Sequence, residues 1–318
     1  SYITQNPINV DKSILIEGTF GAELKFFEFH KDNGNILHHT GSATDKVVVK
    51  KIIFRNAGSF GIKSEMSEVF EIRKCKFFNC GWNGQGINTA APSSLTGMLG
   101  YDSLKVDLKD HYDNSGNIGD GGAVLLKECT KPLLRESVAE RNLRGFRLED
   151  CGFNGGGFVI ENQSIGNLES GIYLAAGLVR GGCQNITVTI NYSSFNANNG
   201  LLAIGGLGNK FSQNEVYKNW NAGACAWGSA NYTLRDCGLY DNNRSKYNGI
   251  GNEGDAKAGI QINEAYNLLG TTITYHEDAR FIAEILDTQV HYTGEGANDK
   301  KVGILISSSL NSLRLNAV

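Results

Sequence analysis

Glu136 and Glu161 are the carboxylates whose spacing most invites a chemical role. Each lies six residues before an asparagine that closes a recurring phrase, Asn142 and Asn167. If those phrases stack, the two acids occupy equivalent places on consecutive layers, about 4.8 Å apart. Cleavage of a glycosidic bond by the usual route needs two carboxyl groups, about 5–5.5 Å apart for retention or about 6.5–9.5 Å for inversion. Adjacent or next-adjacent layers meet either requirement. Glu149 and Asp150 belong to the same acidic group, with Glu149 pointing outward on a strand and Asp150 at the turn that follows. A row of like charges raises a carboxyl pKa, which suits a general acid. Elimination needs different parts, a base beside the acidic carbon and a cation against a uronate carboxylate. Arg147 and Lys127 are the cations nearest the acidic group, while Lys50, Lys51, Lys63, Arg73 and Lys74 form a basic end earlier in the chain. Solvated surface charge is the plain alternative for each of these residues.

Sugar rings pack on exposed aromatic faces. Tyr173 should point outward in Gly171-Ile-Tyr-Leu, and Trp82, Trp220 and Trp227 sit beside glycine-rich corners. Glu215 and Asp236 fall on later layers and join them as candidate sugar contacts, with turn packing as the alternative for the aromatics. Asp102, Asp107, Asp110, His111 and Asp113 lie close together, but Asp113-Asn-Ser-Gly-Asn117 lacks the sixth-position Gly and twelfth-position Glu of a calcium loop. No metal or cofactor is therefore expected, calcium in that loop being the one possibility left open.

These residues need a scaffold that repeats. A glycine followed by alternating apolar residues returns at Gly61, Gly86, Gly122, Gly145, Gly171, Gly200, Gly223, Gly259 and Gly303, the shorter intervals being about 23–29 residues. A second phrase, a short apolar segment ending in Asn, returns at Asn56, Asn79, Asn142, Asn167, Asn196, Asn219 and Asn242. Asn tolerates the left-handed backbone of a sharp corner, and stacked Asn side chains can bond along a ladder. A coil of about two dozen residues cannot bury its own apolar face, whereas stacked coils share one core. The expected fold is all-β, a right-handed parallel β-helix forming a single domain over 1–318, with rungs over about 8–306 and a strand or tail at 307–318. A β-sandwich is the rival. Insertions are expected at 88–121 and 240–258. Helical spacing of Ala279, Phe281, Ile282, Ile285 and Leu286 marks a short helix near 277–287, with an alternating strand as the competing reading.

Bulk properties agree with such a scaffold. Forty Gly and three Pro supply turns while leaving backbone N–H groups free for long ladders. A net charge of −3 argues against a general nucleic-acid binder. No apolar run approaches the roughly 20 residues of a membrane helix. Seven Cys without a CxxC pair read as buried free thiols.

Together the Gly-Ile and Asn phrases resemble the repeats of the pectin-lyase-like superfamily. The opening Ile8-Asn-Val, Ile14-Leu-Ile-Glu-Gly18 and Ala22-Glu-Leu-Lys-Phe26 resembles the first rungs of bacteriophage tailspike depolymerases within it. The resemblance implies a surface polysaccharide as partner, hydrolase or lyase activity, an extracellular or virion-tail location and a homotrimer. A non-catalytic structural or adhesive β-helix, of a phage tail or cell surface, is the second reading. The lyase Lys/Arg signatures and the epimerase Asp-Pro motif of the superfamily are absent, Pro occurring only at 7, 92 and 132.

Overall fold

The computed structural model describes residues 2–3, 8–19, 23–25, 34–81, 121–196, 198–219 and 222–228, then a series of strands between 234 and 317; side chains are described within 8–19, 34–81, 121–196, 198–219 and 222–226. Every coil in the central part contributes three short strands. In one of them Phe146–Glu149 is followed by Gly157–Ile160 and then Gln163–Ile165. Each strand pairs in parallel with its counterpart one coil away, as Phe146 with Ile172, Gly157 with Ile186 and Gln163 with Tyr192. Three parallel sheets result, and among the described residues the first of them carries ten strands, from Ile8–Val10 to Val302–Ser307. Among the described strands only Asn267–Leu269 and Thr272–Thr274 pair antiparallel. The chain is a parallel β-helix, and crossovers between parallel strands take the right-handed sense.

Alternation along the first sheet builds the core. Ile62, Val124, Phe146 and Ile172 share one register column, and Leu126, Leu148 and Leu174 share another. All of them are fully buried. Phe54 and Phe77, stacked with ring centroids 5.0 Å apart, bring the third sheet into the same core. Each such side chain contributes about 1.5–3 kcal/mol on burial. Cys75, Cys80, Cys129, Cys151 and Cys183 are buried free thiols, as the sequence led us to expect. Burial pushes the Cys75 pKa up to about 11 and those of Cys80 and Cys129 up to about 12, so these sulfurs act as small apolar filler.

Two amide ladders run up the interior. In the first, the N–H and Nδ2 of Asn142 both donate to Oδ1 of Asn167 (3.0 and 3.1 Å), Asn167 repeats this on Asn196 (3.1 and 2.9 Å), and Asn196 on Asn219 (3.1 and 2.9 Å). The second links Asn162 to Asn191 and Asn191 to Asn214 in the same way. Both lie just inside sharp corners whose backbone is left-handed. At one corner that residue is Lys51, Lys74, Glu136, Glu161, Ile190 or Gln213, and at the other Asn56, Asn79, Arg141, Gly166, Phe195 or Lys218.

Several expectations need correction. Asn56 and Asn79 occupy the left-handed corner itself (φ 61° and 54°), and Ala57 and Cys80 take the ladder place behind them. Asn242 lies outside the described residues. Gly86 also lies outside them, and Phe60–Ser64 pairs directly with Gly122–Lys127, so no rung of the first sheet stands between those two. The insertion therefore spans 82–120, leaving at Gly81 and returning at Gly121, where a Cβ would fall 2.5 Å from the Gly81 Cα. The second insertion is narrower than 240–258, since Arg244–Lys246 is a strand of the third sheet. The helix near 277–287 is not formed over its second half. Ile282–His291 is a strand, while 277–281 lie outside the described residues. Pairing with Ser312–Ala317 on one side and with the coil of Gly238–Tyr240 and Arg244–Lys246 on the other outweighs the helical spacing.

Candidate functional site

The outer face of the first sheet gathers the densest set of chemistry-bearing side chains. One outward column reads His38, Lys63, Leu125, Arg147, Tyr173 and Leu202 on successive strands. The next column holds Lys127 beside Glu149, and Glu65 follows Ser64 at the same edge. Alternation explains the placement: inward Leu148 forces Arg147 and Glu149, on either side of it, to the outside. Arg147 Nη2 donates to Glu149 Oε2 at 2.7 Å, and Lys127 Nζ lies 3.5 Å from Oε1 of the same carboxylate. Lys63 Nζ pairs with Glu65 at 2.6 Å, and His38 Nε2 lies 3.6 Å from Glu65. The Arg147 guanidinium stands 5.4 Å from the Tyr173 ring centroid. Burial pushes the Tyr173 pKa up, with Arg147 opposing the shift, so the ring is a neutral platform beside a cation. Arg144 and Glu169 form a further ion pair at 2.8 Å, close enough to Tyr173 for both charges to act on its phenol.

Beyond Tyr173 the outer face turns apolar. Leu202, Cys225 and Ala222 form a cluster apart from the main core, with Tyr173 and Ile204 against it. Leu125, in the outward column, is fully buried. The face is thus a sheltered floor with a charged stretch and an apolar stretch.

The acids named from the sequence separate into two places. Glu149 and Asp150 are at the end of the first sheet. Glu136 and Glu161 stack, as the spacing required, on consecutive coils at the far corner of the second sheet. The seven-residue strand Cys129–Arg135 lies between the two groups, roughly 20 Å of chain. Glu136 accepts a hydrogen bond from Arg73 Nε at 2.9 Å and lies 3.1 Å from Lys74 Nζ. Lys74, with Arg73 behind it, holds the Glu136 carboxyl below the usual range, the reverse of the upward shift expected of a general acid in a like-charged row. Glu161 is exposed on the next coil.

Asp150 has a different task. It is 2% exposed and left-handed (φ 52°), and its carboxylate accepts four backbone N–H bonds: Gly177 at 2.9 Å, Val179 at 3.1 Å, Arg180 at 3.0 Å and Gly182 at 2.8 Å. It folds the 177–182 loop against the end of the track, next to Glu149. Glu215 belongs to the third sheet, in register with Tyr192 and Arg244, and so stands away from the outer face of the first. Trp227 occupies the register position of Ile204 on the first sheet. Trp82, Trp220, Asp236 and the acidic loop from Asp102 to Asp113 lie outside the described residues. Among the described residues no group of three or more His, Cys, Asp or Glu could hold a metal ion. Sequence reasoning missed Lys63, Glu65 and His38 as members of this face. The signal was present in the Gly61-Ile-Lys-Ser phrase, whose Lys takes the same outward place as Arg147.

The fold and this face define a parallel β-helix with a lateral track of paired charges and one aromatic platform. No protein-family model matches the chain, and no curated protein matches it in sequence. Among solved structures it is similar to the periplasmic alginate epimerase AlgG, at 12% identity and a TM-score of 0.47, covering 96% of this chain and 77% of that one. It is also similar to the Dettilon tailspike protein, at 14% identity and a TM-score of 0.37, covering 94% and 61%. A third is the Azotobacter vinelandii mannuronan C-5 epimerase AlgE4 A-module, at 12% identity and a TM-score of 0.34, covering 94% and 85%.

Proposed function

We propose that the outer face of the first sheet binds a long polysaccharide and that the chain cleaves it there. The observation that carries this reading is that Lys63, Lys127, Arg147 and Tyr173 come one from each of four consecutive strands, Lys63, Arg147 and Tyr173 in one register column and Lys127 two residues further along its strand. A polymer lying across the strands meets a new rung at every step, exchanging its own polar groups for the Glu65 and Glu149 carboxylates that now hold the cations. Tyr173 offers a ring face to sugar C–H groups. Arg147 and Lys127 are placed to pair with an acidic substituent of the glycan, in exchange for Glu149. The rival site for hydrolysis, Glu136 with Glu161, begins with an acid held in its ionised form. An extracellular or virion-tail setting and a homotrimer, both implied by the tailspike resemblance, belong to this reading.

A second reading, binding without cleavage, has its own support: Glu65 and Glu149 are both ion-paired on the track, and Glu169 beside it is too. Incubation with a panel of bacterial capsules, O-antigens, alginate and pectin separates the two. New reducing ends mark an enzyme, and ultraviolet enone absorbance marks a lyase. Binding alone leaves an adhesive protein. With the glycan that binds, Arg147→Ala is expected to weaken affinity about tenfold or more, the worth of a charge-assisted hydrogen bond in a sheltered site. Unchanged affinity in that variant removes the track. Loss of cleavage in both Glu136→Gln and Glu161→Gln, with Arg147→Ala still active, moves the chemistry to the far corner.

A further inference from the structure

His38 and His39 are adjacent but face opposite ways. His38 lies in the outward column, whereas His39 sits in the inward column between Val10 and Ser64 and is fully buried. Its ring meets Phe70 edge-on at 5.8 Å. Nδ1 and the Ser64 hydroxyl are 3.0 Å apart, while Nε2 has no hydrogen-bond partner and lies 3.7 Å from Asp45 Oδ2. Ring and carboxylate share the space that a side chain at position 41 would fill: a Cβ on Gly41 would fall 2.1 Å from Asp45 Oδ2 and 2.3 Å from His39 Nε2, so glycine is what lets the two come this close. Asp45 is itself tied into the turn, accepting the Ser42 N–H at 2.6 Å. The groups whose charge reaches His39 are Asp45 in the turn, Asp11 after the first strand and His38 on its own strand; Ser64 and Phe70, from the neighbouring strands, are neutral.

We propose that His39 is an acid-sensitive latch, which keeps the N-terminal coils closed while the imidazole is neutral and loosens them when it must take a proton. The neutral ring needs one partner and has it. The imidazolium needs two acceptors, and the second nitrogen, Nε2, has Asp45 Oδ2 at 3.7 Å, a counter-charge near it but beyond hydrogen-bond distance. Burial pulls the His39 pKa down, with the Asp45 charge opposing it. The sign follows: the unfolded chain takes the proton near pH 6.5 and the closed coil takes it only lower. Closure is therefore fully favoured above about pH 6.5 and weakens as pH falls below that value. The latch acts locally, on the coils that carry 8–10 and 36–45, because each coil contacts only its neighbours. It does not depend on the polysaccharide reading.

Amide hydrogen exchange on the full chain, corrected for the chemical pH dependence of exchange, tests this. Opening of 8–10 and 36–45 should rise severalfold relative to the coils of 122–204 between about pH 7.5 and about pH 5.5, short of the roughly tenfold limit that a closed coil unable to take the proton would reach. His39→Phe should abolish that ratio, and His38→Gln should leave it intact. Asp45→Asn keeps an acceptor for the Ser42 N–H but removes the counter-charge, so it should steepen the acid response. Should His39→Phe fail to fold, Asp45→Asn decides. Equal pH ratios in 8–10 and 36–45 and in the coils of 122–204, a full ratio in His39→Phe, or an unaltered ratio in Asp45→Asn would each overturn the latch.

Discussion

Asn167→Ala is expected to lower stability by about 4 kcal/mol, far more than its size alone would cost. Asn167 has no exposed surface and stands in the middle of an amide ladder. Its Oδ1 accepts from both the N–H and the Nδ2 of Asn142, and its own Nδ2 donates to Asn196 Oδ1 and to Ser164 Oγ. Truncation strands two buried donors on Asn142 and takes the Nδ2 donor away from three acceptors, Asn196 Oδ1, Ser164 Oγ and the Ala139 carbonyl. Each buried donor left unpaired costs about 1–3 kcal/mol, and no water reaches the gap without opening the core. Asn56→Ala is the matched control. Asn56 sits at the left-handed corner outside the ladder, so its loss should cost only about 1 kcal/mol of backbone preference. Exchange protection of the Gln163–Ile165 and Val138–Glu140 strands reads the difference coil by coil. Equal losses in the two variants would mean that the stacked amides add nothing beyond the corner.

Asp150→Ala should be comparably damaging, by about 3–5 kcal/mol, with a different footprint. Four backbone N–H groups between Gly177 and Gly182 converge on one carboxylate that water scarcely reaches. Without it they face one another unpaired, and the loop must open to find solvent. Asp150→Asn keeps the shape but turns an NH2 group towards N–H donors, so it should rescue only part of the loss. Loosening of 177–182 in exchange, together with weakened glycan binding at the neighbouring Glu149 and Arg147, is the expected pattern. A stable variant with a rigid loop would show that the four bonds do not hold this corner.

The stack was legible because its two signals are local. A glycine followed by apolar alternation sets which side chains enter the core, and that reading placed Phe146, Leu148 and Ile172 inside and Arg147, Glu149 and Tyr173 outside. Counting from the asparagines also put Glu136 and Glu161 on neighbouring coils. Asparagine itself was ambiguous, since it serves both a left-handed corner and a stacked amide. Asn56 and Asn79 do the first, and Asn142 and Asn167 the second. The second ladder left a trace that went unread: Asn162 and Asn167, Asn191 and Asn196, and Asn214 and Asn219 each recur five apart. The role of Asp150 left none, because its donors lie about 30 residues downstream in a loop of no regular pattern. The charged track was only half visible. Offsets from corner residues find corner residues, whereas a face is set by which strand lies over which, and the insertion between Gly81 and Gly121 hid that Lys63 is one step from Leu125.

The amide ladders also fix how the molecule should give way under load. Neighbouring rungs are 25, 29 and 23 residues apart along the first ladder. Under tension the stretch from Asn142 to Asn219 should therefore peel one loop of the spiral at a time, each rupture releasing about 80–100 Å of slack. A single-molecule force trace with evenly sized teeth is the expected signature, in place of one large collapse.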